Sequence, residues 1–150
     1  MSAPDPILEP IHLQAFTEIG IIHQLAIARL EQILPAEMSA AQFGVLTHFM
    51  RRGGQATPAA LASAFQVTRG AMTNTLQRLE AQGLIKVVPD AKDGRSKQVT
   101  LTPEGQAAYV DIAQRLGPRN AALLAAFSEA DMLAILPTLR RLRMWLDENR

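Results

Sequence analysis

A chain of 150 residues is long enough for one domain with a real core, and its 48% hydrophobic and 19% charged content separates it from disordered sequences, which bury too little apolar surface to offset the ordering entropy. The absence of cysteine excludes disulfides, thiolate metal sites, thiol nucleophiles and cysteine redox sensing. The net charge of +1 is unevenly spread: residues 68–102 hold six basic and three acidic side chains, residues 1–67 three basic and five acidic, and residues 103–150 six of each.

At the start, Met1 to Pro10 carries Asp5, Glu9 and three prolines where a secretion signal needs basic residues and then an apolar run. No apolar stretch reaches the length of a membrane span, so the expectation is a soluble, cytoplasmic protein. After Pro10, apolar residues from Leu13 to Leu34 recur mostly at spacings of three and four, which predicts a helix over 11–34. Those residues occupy more than one stripe, and a helix apolar over much of its circumference needs a cover beyond its own small domain; a subunit partner is the simple one.

Pro35 stops that helix, and Ser39 is placed to cap the next, with Phe43, Val45, Leu46, Phe49 and Met50 facing inward until Gly53-Gly54. Thr57-Pro58 pairs a capping residue with proline at the first helical position, opening a short helix that buries Leu61, Ala62 and Phe65. After a turn at Gln66-Val67, Thr68 caps a helix to about Gln82, which Gly83 ends in a left-handed conformation. Residues 85–88 and 98–102 read as the two clear strands, a hairpin with a long charged tip from Pro89 to Lys97. Thr102-Pro103 then opens a helix with apolar positions Ala107, Val110, Ala113 and Leu116, where Gly117-Pro118 predicts a kink before the helix resumes through Leu124. Ser128 caps the last helix, apolar on one side from Met132 to Leu146 despite Pro137. There is no internal repeat.

The order is helix, helix, helix-turn-helix, hairpin, helix, helix. Turning the Thr68–Gln82 helix by about 100° per residue brings Met72, Leu76 and Leu79 together. The opposite side shows Gly70, Thr73, Asn74, Gln77 and Arg78, with Thr68 and Arg69 at the exposed N-terminal end. In a major groove Arg reads guanine, Asn or Gln reads adenine, and Thr bonds a base or touches a thymine methyl, while Gly70 admits close backbone approach. A polar outer face is also what most surface helices have, and a charged loop tip is ordinary by itself. The combination decides: a short helix and tight turn precede this helix, and a tip carrying Lys92, Arg95 and Lys97 follows it, suited to the phosphate backbone or a narrow minor groove.

These residues resemble the MarR family of bacterial regulators. The matching segments are Met38-Ser-Ala-Ala-Gln42, Val45-Leu46, Leu61-Ala62, Val67-Thr-Arg-Gly-Ala-Met-Thr73, Leu79-Glu-Ala-Gln-Gly-Leu-Ile85, Asp93-Gly-Arg95 and Val99-Thr-Leu-Thr-Pro-Glu-Gly105, about half the chain in matching order and spacing. The resemblance implies a mainly α fold: a single chain over 1–150 with a winged helix-turn-helix lobe at 38–105, flanked by dimerisation helices at 11–34 and 106–148. It also implies a homodimer binding an inverted-repeat operator in double-stranded DNA, most simply as a repressor, released by a small phenolic or aromatic ligand held between the dimer helices and the winged lobe. Arg95 would be the wing arginine and Asp93 the acid orienting it by a charge-assisted hydrogen bond. A further strand would lie near Gln55-Ala56.

The expected DNA-binding residues are thus Thr68, Arg69, Gly70, Thr73, Asn74, Gln77, Arg78, Asp93, Arg95 and Lys97, the helix specifying sequence and the wing mostly anchoring. Where the family often carries arginines between the hairpin's start and Asp93, this chain has Lys86-Val-Val-Pro-Asp-Ala-Lys92, which predicts a weaker wing grip. No histidine belongs to a nucleophile, metalloprotease or phosphate-loop motif, so neither catalysis nor a cofactor is expected. A metal-responsive regulator using His12, His23 or His48 across a dimer, or a winged helix serving protein interaction without specific DNA binding, are the alternatives.

Overall fold

Serine and threonine caps set most of the helix starts in a computed structural model of the chain, which describes residues 10–150; the acidic, proline-bearing start at 1–9 lies outside the described residues. The first helix, α1 (Ile11–Glu31), follows Pro10 without a side-chain cap. It ends three residues before the expected Leu34. Pro35 pushes its predecessor out of helical geometry, and the chain closes in turns, with Ile33 and Leu34 N–H both donating to the Leu30 carbonyl (3.0 and 3.2 Å).

Ser39 opens α2 (Ala40–Arg52) with a reciprocal capping box: its hydroxyl accepts from Gln42 N–H at 3.2 Å while Gln42 Oε1 accepts from Ser39 N–H at 2.8 Å. After the two-residue strand β1 (Gln55–Ala56), Thr57 caps α3 (Pro58–Phe65) through Ala60 N–H (3.1 Å), and Thr68 caps α4 (Arg69–Ala81) through Ala71 N–H (3.1 Å). Gly83, at φ +73°, makes the left-handed turn that leads from α4 into β2 (Ile85–Pro89). The return strand β3 (Lys97–Leu101) lies between β1 and β2, so a third strand joins the expected hairpin in an antiparallel sheet ordered β1-β3-β2. Val87 opposes Val99, and Ala56 opposes the same residue from the other side.

Thr102 caps α5 (Pro103–Ala126) by accepting from Gly105 N–H at 3.0 Å, and Ser128 caps α6 (Glu129–Glu148). As expected, α5 runs on through Gly117-Pro118 and past Leu124. Pro118 forfeits one helical hydrogen bond, but the residue before it is glycine and lacks the Cβ that would clash with the proline ring.

The chain divides into two compact units, residues 1–112 and 113–150. The core of the first lies between α2, α3, α4 and the sheet, where Val45, Leu46, Leu61, Leu79 and Val99 are fully buried. From α5 it takes Gly105 and Ile112, with Tyr109 stacked on Phe43 at a centroid distance of 5.5 Å; of the expected apolar positions, Ala107 and Val110 stay exposed. No residue of α1 is buried: Ile11, Phe16, Ile19, Ile22 and Leu25 are between 37% and 78% exposed. In the second unit Leu133, Ile135, Trp145 and Leu146 of α6 are exposed as well. No single described helix is long and apolar enough to cross a membrane.

Candidate nucleic-acid interface

The turn between α3 and α4 is held by backbone geometry that the sequence only hinted at. Gln66 takes a left-handed conformation (φ 56°), unusual for a residue with a Cβ, and its amide donates to the Ser63 carbonyl at 2.9 Å. Val67 N–H donates to the Ala62 carbonyl at 3.0 Å, so the chain reverses within three residues and Thr68 begins α4. Met72, Leu76 and Leu79 anchor α4 in the core, as their spacing predicts. Thr68, Arg69, Gly70, Thr73, Asn74, Gln77 and Arg78 are all exposed.

Residues four apart stack on one helix face. The exposed side of α4 therefore carries two neighbouring stripes, Arg69-Thr73-Gln77 and Gly70-Asn74-Arg78. The glycine is informative because a Cβ at position 70 would meet nothing within 4 Å, so internal packing does not require it. An exposed helical glycine costs about 1 kcal/mol relative to alanine. Gly70→Ala is expected to raise the melting temperature and to weaken duplex binding several-fold; a variant that melts higher and binds as well would remove the backbone-approach role.

Two aspartates build the wing tip. Asp90 Oδ1 accepts from Lys92 N–H (2.9 Å) and Oδ2 from the Gln98 amide (3.0 Å), while Asp90 N–H donates to the Ser96 carbonyl (2.9 Å). The Lys92 main-chain bond and then the Gln98 amide hold the Asp90 carboxyl below the usual carboxylate range. Asp93 Oδ1 accepts from the main-chain N–H of Arg95 at 3.0 Å, so this acid positions Arg95 through its backbone rather than its guanidinium. Arg95 and Lys97 are exposed. The sequence reading missed Asp90; aspartate after proline at the entrance of a tip is a turn signal, but its bond to Gln98 depends on strand register.

Wing and helix meet at a concavity of about 350 Å³. Its lining joins Arg69 and Thr73 of α4, Arg95, Ser96 and Lys97 of the wing and Thr57, Pro58 and Ala59 at the start of α3. Three cations and three hydroxyls share this hollow with no carboxylate. Gly70, Asn74, Gln77, Arg78 and Asp93 lie outside its lining.

A second pocket of about 470 Å³ lies between α1, α2 and α3. Ile27, Leu30, Phe43 and Phe65 give it apolar walls, and His48, Arg51 and Arg52 supply polar and cationic groups, again without a carboxylate. Burial first, then the charges of Arg52 and Arg51, lower the pKa of His48 below its ordinary 6.5. A histidine with a depressed folded pKa leaves stability intact while neutral and removes it as pH falls through that pKa. The melting temperature is therefore expected to fall as pH drops below about 6.5, the ordinary histidine value, toward the lower folded pKa of His48, and His48→Gln should flatten the decline; an unchanged slope would assign it to other groups. Among the described residues no three His, Asp or Glu side chains are grouped to hold a metal.

The sequence pattern of the MarR family matches residues 36–96. The chain is 39% identical over 83 residues to the multiple antibiotic resistance protein MarR of Salmonella typhimurium, an alignment covering 55% of this chain and 57% of that protein. It thus spans a little over half of that relative's length. Among solved structures, BpsR of Bordetella bronchiseptica, whose DNA binding is regulated by 6-hydroxynicotinic acid, matches with a TM-score of 0.73 at 26% identity, covering 87% of this chain and 98% of that one. A MarR mutant from Escherichia coli complexed with operator DNA matches with a TM-score of 0.69 at 26% identity, covering 89% and 99%.

Proposed function

The chain belongs to the MarR family of transcriptional regulators, and on that premise we propose that it acts as a homodimeric repressor of a promoter carrying an inverted-repeat operator. The observation that carries this reading is the convergence of α4 and the wing tip: a solvent-facing reading helix anchored by three buried residues, beside a cationic hollow free of carboxylates. Two such lobes would enter successive major grooves about 34–36 Å apart. The dimer is supported by α1 and α6, whose long apolar side chains stand exposed on an isolated chain. Exposed apolar surface of that extent marks an interaction site.

The α1–α2–α3 pocket is the proposed effector site. Its apolar and aromatic walls with His48, Arg51 and Arg52 suit a small aromatic acid, in keeping with the effector of the similar BpsR. A ligand shifts DNA affinity only through differential affinity for the competent and incompetent arrangements.

The test is binding of the purified protein to duplexes spanning its own promoter, followed by selection from genomic DNA. Counterion release predicts that log affinity falls linearly with log salt, with a slope near −0.9 per neutralised phosphate. Salt-insensitive binding, or none to any duplex, would overturn the reading. For the effector, 6-hydroxynicotinic acid and hydroxybenzoic acids are the probes, read as a rise in melting temperature with concentration and release of bound duplex.

A further inference from the structure

We propose that the hollow between α4, the start of α3 and the wing seats one sugar-phosphate unit of the duplex, and that Arg69 and Ser96 belong to this seat rather than to the surface that reads bases. The proposal rests on the DNA-binding reading above and divides its surface differently from the sequence, which grouped Arg69 with the major-groove residues and did not single out Ser96.

A single strand's backbone separates the major groove from the adjacent minor groove. A protein that places a helix in one and a wing against the other must leave a concavity for that ridge. This chain has one at that position, of about 350 Å³, more than ten times the ~30 Å³ share of a water molecule in the liquid. Its chemistry is that of a phosphodiester site: Arg69, Arg95 and Lys97 supply charge, and Thr57, Thr73 and Ser96 supply hydroxyls. The two aspartates of the wing tip are turned to other work. Asp90 and Asp93 accept hydrogen bonds inside the wing tip, and neither lines the hollow.

The helical period supplies the division. Arg69 and Thr73 are one turn apart on the stripe that borders the hollow, whereas Gly70, Asn74 and Arg78 form the neighbouring stripe outside it. The first stripe meets the backbone and the second the base edges. Ser96 uses both main-chain groups to close the tip, donating to Asp93 O (3.0 Å) and accepting from Asp90 N–H (2.9 Å), which leaves its hydroxyl for the seat.

The test compares wild type, Arg69→Ala, Arg69→Lys, Ser96→Ala and Asn74→Ala on the selected operator and on an unrelated duplex across a salt series, with melting curves as a folding control. Arg69→Ala is expected to lose roughly tenfold per subunit on both duplexes, about a hundredfold for the dimer, and to reduce the salt slope by about one per subunit. Arg69→Lys should keep the slope, and Ser96→Ala should lose roughly threefold per subunit on both, the range for one neutral hydrogen bond. Asn74→Ala should lose on the operator alone. If Arg69→Ala loses on the operator alone with an unchanged slope, Arg69 reads bases and the seat is wrong while DNA binding stands. If wild type shows no salt-sensitive duplex binding, the DNA reading fails and the seat with it.

Discussion

Gly105→Ala is expected to destabilise the winged lobe by about 3 kcal/mol or more, at the upper end of the overpacking range. An added Cβ would stand 2.0 Å from the Leu84 carbonyl oxygen and 2.7 Å from Leu101 Cδ1. Side chains swing away from such contacts, but the Leu84 carbonyl is main chain and accepts a hydrogen bond from Thr102 N–H at 3.2 Å, while the Thr102 hydroxyl donates to Gly83 O at 2.7 Å. Relief requires parting the start of α5 from the entrance of β2, which breaks that junction between α4 and the wing. At about 2–4 °C per kcal/mol for a chain of this size, the melting temperature should fall by roughly 10 °C. Thermal or denaturant unfolding of the purified variant measures this. Gly70→Ala is the internal contrast, because the same substitution there meets open space. Equal melting of the two variants would show that the close approach at Gly105 relaxes freely.

Arg95→Ala is expected to cost the proposed dimer roughly a hundredfold in affinity on every duplex. Loss of one cation contact at a phosphate or in a minor groove is worth about 1.4 kcal/mol, a tenfold change, and a symmetric dimer loses it twice. Arg95 is exposed, and Asp93 holds the segment through the main-chain N–H, so the truncated residue keeps the tip's shape. The wing also has few substitutes. In β2, Val87 and Val88 are half-buried where further cations would have to stand, leaving Lys86 as that strand's single basic residue. Asn74→Ala and Arg78→Ala are expected to behave differently, losing about 1–3 kcal/mol per contact on the operator and little elsewhere. Binding of each variant to operator and unrelated duplexes separates the two patterns. Uniform losses from all three substitutions would erase the distinction between reading helix and anchoring wing.

Much of this surface was legible from local sequence. The core triad Met72, Leu76 and Leu79 follows from helical period, and its burial leaves Gly70, Asn74, Gln77 and Arg78 facing outward as expected. Caps at Ser39, Thr57, Thr68 and Ser128 likewise sit where a short hydroxyl side chain precedes an apolar period. Helix ends were less legible. Periodicity carries α1 to Leu34 in the sequence because it continues past the point at which Pro35 acts.

By itself, then, the sequence determined the order of elements, the buried side of α4 and the cationic wing, since each depends on spacing within about one turn or one strand. Tertiary structure alone decided three features: the pairing of β1 with β3, the approach of Gly105 to the Leu84 carbonyl, and the hollow that brings Arg69 within reach of Ser96 and Lys97. In each of them, residues roughly 20 to 45 positions apart must come together. No local period encodes such a meeting; packing of α3, α4 and the sheet around one core fixes it.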